Sequence, residues 1–172
     1  MTVEDIIEYD LDSKPVAQTS YAGFSERFIH AQIYRARGDV KAVVHHHAPE
    51  VVSFSVSGVP LRAVAHMAAF LGDGTSVFDT RPLPKNGDML VGNDQVGAAL
   101  AKAMGDRPAI LLRGHGAVVV AEGLEYHPIG RPVARPAAGA ERAMIYKCRK
   151  ERTDRHSVII GEAGLSCYDF AC

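Results

Sequence analysis

The sequence predicts an α/β layered domain, and three observations predict it. Apolar residues recur at helical spacing in 26–37 and again in 94–104. Two apolar runs, Ala109-Ile110-Leu111-Leu112 and Ala117-Val118-Val119-Val120, read as buried strands split by Gly114-His115-Gly116. A further strand, Val40 to His47, ends in three consecutive histidines. At 172 residues the chain has room for a core of its own.

Taken in order, Met1 to about Ala22 reads as a short helical turn followed by extended segments, with turn formers at Asp10-Leu11-Asp12-Ser13-Lys14-Pro15. Ser25 is the expected N-cap of the next helix, in which Phe28, Ile29, Ile33 and Ala36 share a face and which Gly38 ends. Glu26 falls in its first turn, where the helix dipole favours a negative charge. After the Val40–His47 strand, Val51 to Val56 and Leu61 to Ala65 read as extended or mixed segments around a Ser57-Gly58 turn. His66 to Leu71 is apolar enough for a short helix closed by Gly72. Val96, Leu100, Ala101 and Met104 line one face of a helix from Asp94 to Met104.

The composition shifts after about Tyr126. Pro128, Pro132 and Pro136 alternate with glycines and arginines, and periodicity is weak. The expected organisation is one domain over residues 1–126 and an atypical Pro/Arg/Gly-rich tail over 127–172, disordered or poorly packed.

A formal net charge of -1 gives no general attraction to nucleic acid or anionic membrane. The basic run in the tail lacks the aromatic interleaving of a nucleic-acid surface. No segment approaches a membrane span, and the start has neither the basic residues nor the apolar core of a signal peptide. A cytoplasmic location is expected. Cys148, Cys167 and Cys172 have no metal-site spacing and read as free thiols of a reducing compartment.

The chemistry concentrates in His45-His46-His47. Side chains alternate along a strand, so His45 and His47 share a face and His46 points away. Two imidazoles so placed can grip one metal ion. Glycines beside His115 permit a sharp turn that brings a third imidazole close, and Glu26 offers a carboxylate. Three imidazoles with a carboxylate suit a catalytic divalent metal, zinc first, with manganese, cobalt and iron also able to fit. Glu26 is the candidate acid/base or fourth ligand. Ser25, His30 and His66 are candidates for substrate contact, with helix packing an equal reading for His30 and a core place open to His66.

The run from Ser25 and Glu26 through His30, Tyr34, Arg37, Asp39-Val40 and Ala42-Val43-Val44 to His45 and His47 resembles the central motif of the class II aldolase/adducin family. Leu111-Leu112-Arg113-Gly114-His115-Gly116-Ala117-Val118-Val119 is similar to that family's second motif. The resemblance spans roughly Thr2 to Leu124. It implies a three-layer α/β/α sandwich with a largely antiparallel central sheet. It also implies metal ligation by His45, His47 and His115, with Glu26 as catalytic acid/base. The implied activity is a divalent-metal-dependent carbon–carbon lyase, cleaving an aldol or removing carbon dioxide through a metal-stabilised enolate of a small hydroxy, keto or aromatic acid. An epimerase or dehydratase on the same site, and an adducin-like interaction module or inactive fragment, are the alternatives. The resemblance further implies a homo-oligomer, a tetramer in many members, acting on a small molecule.

Two departures matter. Sugar-phosphate aldolases of this family carry a Ser-Ser pair before the glutamate, where this chain has Phe24-Ser25. A phenylalanine offers no hydroxyl to a phosphate, which favours unphosphorylated acids and the decarboxylase-like branch. Members also usually begin with a helix and a glycine-containing loop that would precede Met1. The chain is therefore expected to be truncated at its start and, after Tyr126, to follow a shifted reading frame.

Overall fold

The structure, a computed structural model, describes residues 7–19, 23–83, 88–122, 143–149 and 157–163, the last two ranges as backbone strands. Its elements run β1 (Ile7–Asp10), α1 (Arg27–Ala36), β2 (Ala42–His46), α2 (Pro49–Ser57), a 3-10 helix (His66–Leu71), β3 (Ser76–Phe78), α3 (Asp94–Met104), β4 (Ala109–Leu112), β5 (Gly116–Ala121), β6 (Ala143–Arg149) and β7 (Ser157–Ala163). The strands form one sheet in the order β1-β7-β6-β2-β5-β4-β3. Every pairing is antiparallel except β3 with β4. This is the largely antiparallel α/β arrangement the sequence implies.

Cross-strand partners share a face. Val43 pairs with Val120, His45 with Val118, and Val118 with Ile110. These apolar partners join Ile29 and Ile33 of α1 and Val96, Leu100 and Met104 of α3 in the main core cluster. Each such side chain, fully buried, stabilises the fold by about 1.5–3 kcal/mol. Val44, Leu111 and Ala117 point to the opposite face, where they are also buried, and α2 packs on β4 and β5. His45 thus continues the core face of β2 to its rim.

Helices α1 and α3 approach closely because residue 97 is glycine. A Cβ there would lie 2.6 Å from the Phe28 carbonyl oxygen. Gln32 Nε2 donates to Asp94 Oδ1 at 2.6 Å across the same contact. Arg37 ties the end of α1 to the end of α3, donating to the Gly105 and Arg107 carbonyls at 3.1 and 3.0 Å.

Helix α3 has the bounds its periodicity predicts, capped by Asn93, whose side chain accepts from the Val96 amide at 3.0 Å. Elsewhere the structure corrects the sequence. Ser25 does not cap α1. It sits in the preceding turn, Glu26 takes the cap position, and no side chain bonds the free amides there. The physical reason is that the Glu26 carboxylate turns toward the histidines. Residues 51–56 are helical, not extended: Pro49 stands at the start of α2 and Gly58 closes it at φ 77°. β3 is a strand the sequence pattern does not reveal.

Of the segment after Tyr126, the described residues are β6, which pairs with β2, and β7, which pairs with β6 and β1. Tyr126 itself and the Pro/Arg/Gly-rich stretch 127–142 lie outside the described residues, as do 1–6.

Candidate metal centre

Three elements deliver four side chains to one point. Glu26 arrives from the N-terminus of α1, His45 and His47 from the end of β2, and His115 from the turn between β4 and β5. Their ligand atoms all lie within 4.8 Å of one another.

The β4–β5 turn is tight, the His115 amide donating to the Leu112 carbonyl at 3.1 Å, and Gly114 adopts a left-handed φ of 65°. Gly116 is required for a different reason. A Cβ on it would stand 2.1 Å from the His46 carbonyl oxygen, so only glycine lets β5 lie against β2 at this level.

The ring orientations follow from hydrogen bonding. His45 Nδ1 faces the Ala117 carbonyl at 3.0 Å, and His115 Nδ1 faces the Met89 carbonyl at 3.2 Å. A carbonyl oxygen only accepts, so each Nδ1 carries the hydrogen and each neutral ring turns its Nε2 lone pair inward. His47 Nε2 lies 2.8 Å from His45 Nε2 and 2.9 Å from His115 Nε2. Glu26 Oε2 is 3.1 Å from His45 Nε2 and 3.6 Å from His47 Nε2, and its Oε1 is 3.1 Å from His115 Nε2. The His45 side chain is fully buried and that of Glu26 nearly so, whereas the His47 ring is half exposed and opens the cluster to solvent.

Burial by itself would raise the Glu26 pKa; when the facing imidazoles carry a proton, hydrogen bonds from His115, His45 and His47 outweigh burial and hold the carboxyl far below its usual range. Burial lowers His45. Burial also opposes charge on His115, yet the hydrogen bond and attraction from Glu26 raise it. The arrangement is an anion facing three convergent nitrogens, two of them fixed as lone-pair donors. Such a donor set fits a divalent cation of the kind bound by imidazole and carboxylate.

The remaining candidates fall elsewhere. His46 points away, as alternation requires, and its Nδ1 accepts from the Ala48 amide at 3.3 Å. His30 is wholly buried in α1 one turn beyond Glu26, the packing alternative of its sequence reading, and burial pushes its pKa well down. Ser25 is exposed in the turn before α1, and His66 is exposed at the start of the 3-10 helix; neither belongs to the cluster. Phe24 packs against the apolar core. The sequence offered no sign of Met89, whose backbone carbonyl orients His115. Nor did it reveal Ser55, which accepts from the Gly114 amide at 2.9 Å. Both contacts are long-range, and Met89 takes part through its backbone alone.

Fold and site together define an α/β domain with a three-histidine, one-glutamate centre at the rim of an antiparallel sheet. The chain belongs to the class II aldolase/adducin family: residues 1–126 match the class II aldolase and adducin N-terminal domain. A Talaromyces stipitatus decarboxylase, tropJ, is 38% identical over 128 residues, covering 67% of this chain and 48% of that protein. The 3,4-dihydroxyphthalate decarboxylase of Arthrobacter keyseri is 35% identical over 125 residues, covering 70% of this chain and 50% of that protein. Among solved structures, the L-fuculose-1-phosphate aldolase of Thermus thermophilus superposes with a TM-score of 0.55 at 26% identity. That match covers 72% of this chain and 57% of the aldolase. The chain spans about half the length of the curated relatives it matches. Among the described residues, no helix is long and apolar enough to cross a membrane.

Proposed function

We propose that this chain forms the metal-binding part of a divalent-metal-dependent carbon–carbon lyase, with decarboxylation of a small hydroxy, keto or aromatic acid as its reaction. The observation that carries this is the convergence of three imidazole Nε2 atoms at 2.8 and 2.9 Å with the Nδ1–H groups of His45 and His115 tied to carbonyls. Lone pairs aimed at one another in a partly buried site are stable only around a cation or a proton.

In this reading His45, His47 and His115 hold the metal, and Glu26 is the catalytic acid/base. A divalent cation there would supply positive charge where negative charge develops as the carbon–carbon bond breaks. Glu26 lies buried beside the cluster, its oxygens 3.1 Å from His45 Nε2 and His115 Nε2. There, with a cation holding the imidazole lone pairs, it would take a proton from a substrate hydroxyl or carry one to the carbon that loses its carboxylate. The exposed side of His47 leaves the approach through which substrate enters.

Decarboxylation is favoured over cleavage of a sugar phosphate by Phe24, which packs on the core where a phosphate site would need a hydroxyl. The names of the two relatives above point the same way. Zinc suits the donor set best, with manganese, cobalt and iron as substitutes. By family likeness the protein is a homo-oligomer acting on a small molecule, with residues 1–126 as its aldolase-like part, to whose sheet β6 and β7 of the following segment are added. Cysteines without site or disulfide spacing fit the cytoplasm.

Metal analysis of the purified chain beside His45→Ala and His115→Ala tests the centre. The unmutated chain is expected to hold one divalent ion and both variants to lose it. An unmutated chain without metal sinks the proposal. Given metal, carbon dioxide release from hydroxylated aromatic acids, against aldehyde release from sugar phosphates, separates decarboxylase from aldolase.

A further inference from the structure

Helix α2 starts two residues after His47 and packs across β4 and β5. Ser55 is its buried residue, 2% exposed on a helix otherwise rich in valine. A polar group buried at such a place is defined by its partners. The Ser55 hydroxyl donates to the Val52 carbonyl at 2.7 Å, which leaves its lone pairs to accept from the Gly114 amide at 2.9 Å. Gly114 is the left-handed residue of the β4–β5 turn, and the next residue is His115.

The ring of His115 is held from another direction, by the Met89 carbonyl. Met89 itself has a φ of 60°, a conformation uncommon for a residue with a side chain. The ring of His115 is thus held by Met89, its own amide by the Leu112 carbonyl, and the amide of the preceding Gly114 by Ser55.

We propose that Ser55 is a positioning residue for His115: its hydroxyl pins the Gly114 turn and so sets His115 Nε2 against His47 and Glu26. Ser55 is outside the cluster itself, its hydroxyl bonded to Val52 and Gly114. The inference rests on the metal-centre reading above. A useful control lies on the same helix. Ser53 donates to the Pro49 carbonyl at 3.1 Å, a bond of the same kind, but it is exposed and makes no bond to the β4–β5 turn.

The test uses the full chain and two readouts. One is zinc affinity against a chromophoric chelator; the other is amide hydrogen exchange at Gly114 and His115 without metal. Ser55→Ala is expected to speed exchange at Gly114 about tenfold or more and to weaken zinc binding by about 10- to 100-fold. Ser55→Thr, which keeps the acceptor, is expected to bring both back to within about threefold of the unmutated chain. Ser53→Ala is expected to change neither. Should Ser55→Ala fail to fold, Ser55→Cys keeps the volume with a weaker acceptor and is expected to fall between Thr and Ala. Zinc affinity in Ser55→Ala equal to that in Ser53→Ala, or no recovery with Thr, overturns the proposal. If the unmutated chain binds no zinc, the metal-centre reading falls, and the exchange readout alone decides whether Ser55 holds the turn.

Discussion

Glu26 Oε2 and His45 Nε2 lie 3.1 Å apart, both side chains buried, where the start of α1 meets the end of β2. The opposite nitrogen of His45 is committed to the Ala117 carbonyl, so the neutral ring turns a lone pair toward a carboxylate. Burial disfavours the proton that would relieve this. The pair therefore makes best physical sense around a cation.

The two histidines of the H-x-H pair should separate stability from binding. The His47 ring is half exposed, so His47→Ala should change folding stability by no more than about 0.5 kcal/mol. His45→Ala strips the Ala117 carbonyl of its partner and empties a buried site, at a cost of about 1–3 kcal/mol. Both should abolish stoichiometric metal binding. Denaturant melts of the apo chains beside metal analysis check this; a His47 variant that still holds metal would count against ligation by that residue.

Glu26→Gln keeps the shape and removes the charge. If Glu26 moves protons, the variant should fold, retain its metal and lose about 10²–10⁴ in kcat. Metal content and turnover measured on the same sample decide the matter. Loss of metal along with turnover would reassign Glu26 as a ligand.

The cluster could be read in the sequence because strand alternation alone puts His45 and His47 on one side, and glycines around His115 mark a tight turn. Helix α3 was legible for a similar reason: its apolar residues, Val96, Leu100, Ala101 and Met104, repeat cleanly on one face. Helix α2 was not, because Val51, Val52 and Val56 favour strands, and only Pro49 and Gly58 marked its ends. β3 is three residues long, too short for any period to show. The hold of Ser55 on Gly114 joins residues 59 apart in sequence, and no local pattern carries it.

Glycine substitutions should report where backbones must touch. Gly116→Ala would drive a methyl group into the His46 carbonyl, so it should break the β2–β5 pairing and greatly reduce soluble yield. Gly97→Ala meets the Phe28 carbonyl and should separate α3 from α1, the helix that carries Glu26, costing about 1–3 kcal/mol. Gly38→Ala meets nothing within 4 Å and should be close to neutral. Thermal melts of the three variants give the ranking, and a Gly116→Ala chain as stable as Gly38→Ala would contradict the close approach.

Buried His30 should make the apo chain acid-sensitive. Its folded pKa is depressed, by burial first and by repulsion from His45 second. In the unfolded chain the imidazole titrates near its ordinary value, about 6.5. Below that pH the unfolded state binds a proton that the folded state resists, so stability present above pH ~6.5 is lost as pH falls. Each such group contributes a slope of at most about 1.4 kcal/mol per pH unit. His45 and His46 are also depressed by burial and add to the same trend. His30→Gln cannot titrate, so between pH 7 and 5 its stability should fall less steeply, by about one proton's worth of slope. Chemical denaturation of both chains in metal-free buffer across that range reads the difference directly. Parallel curves would show that His30 takes up its proton in the folded state.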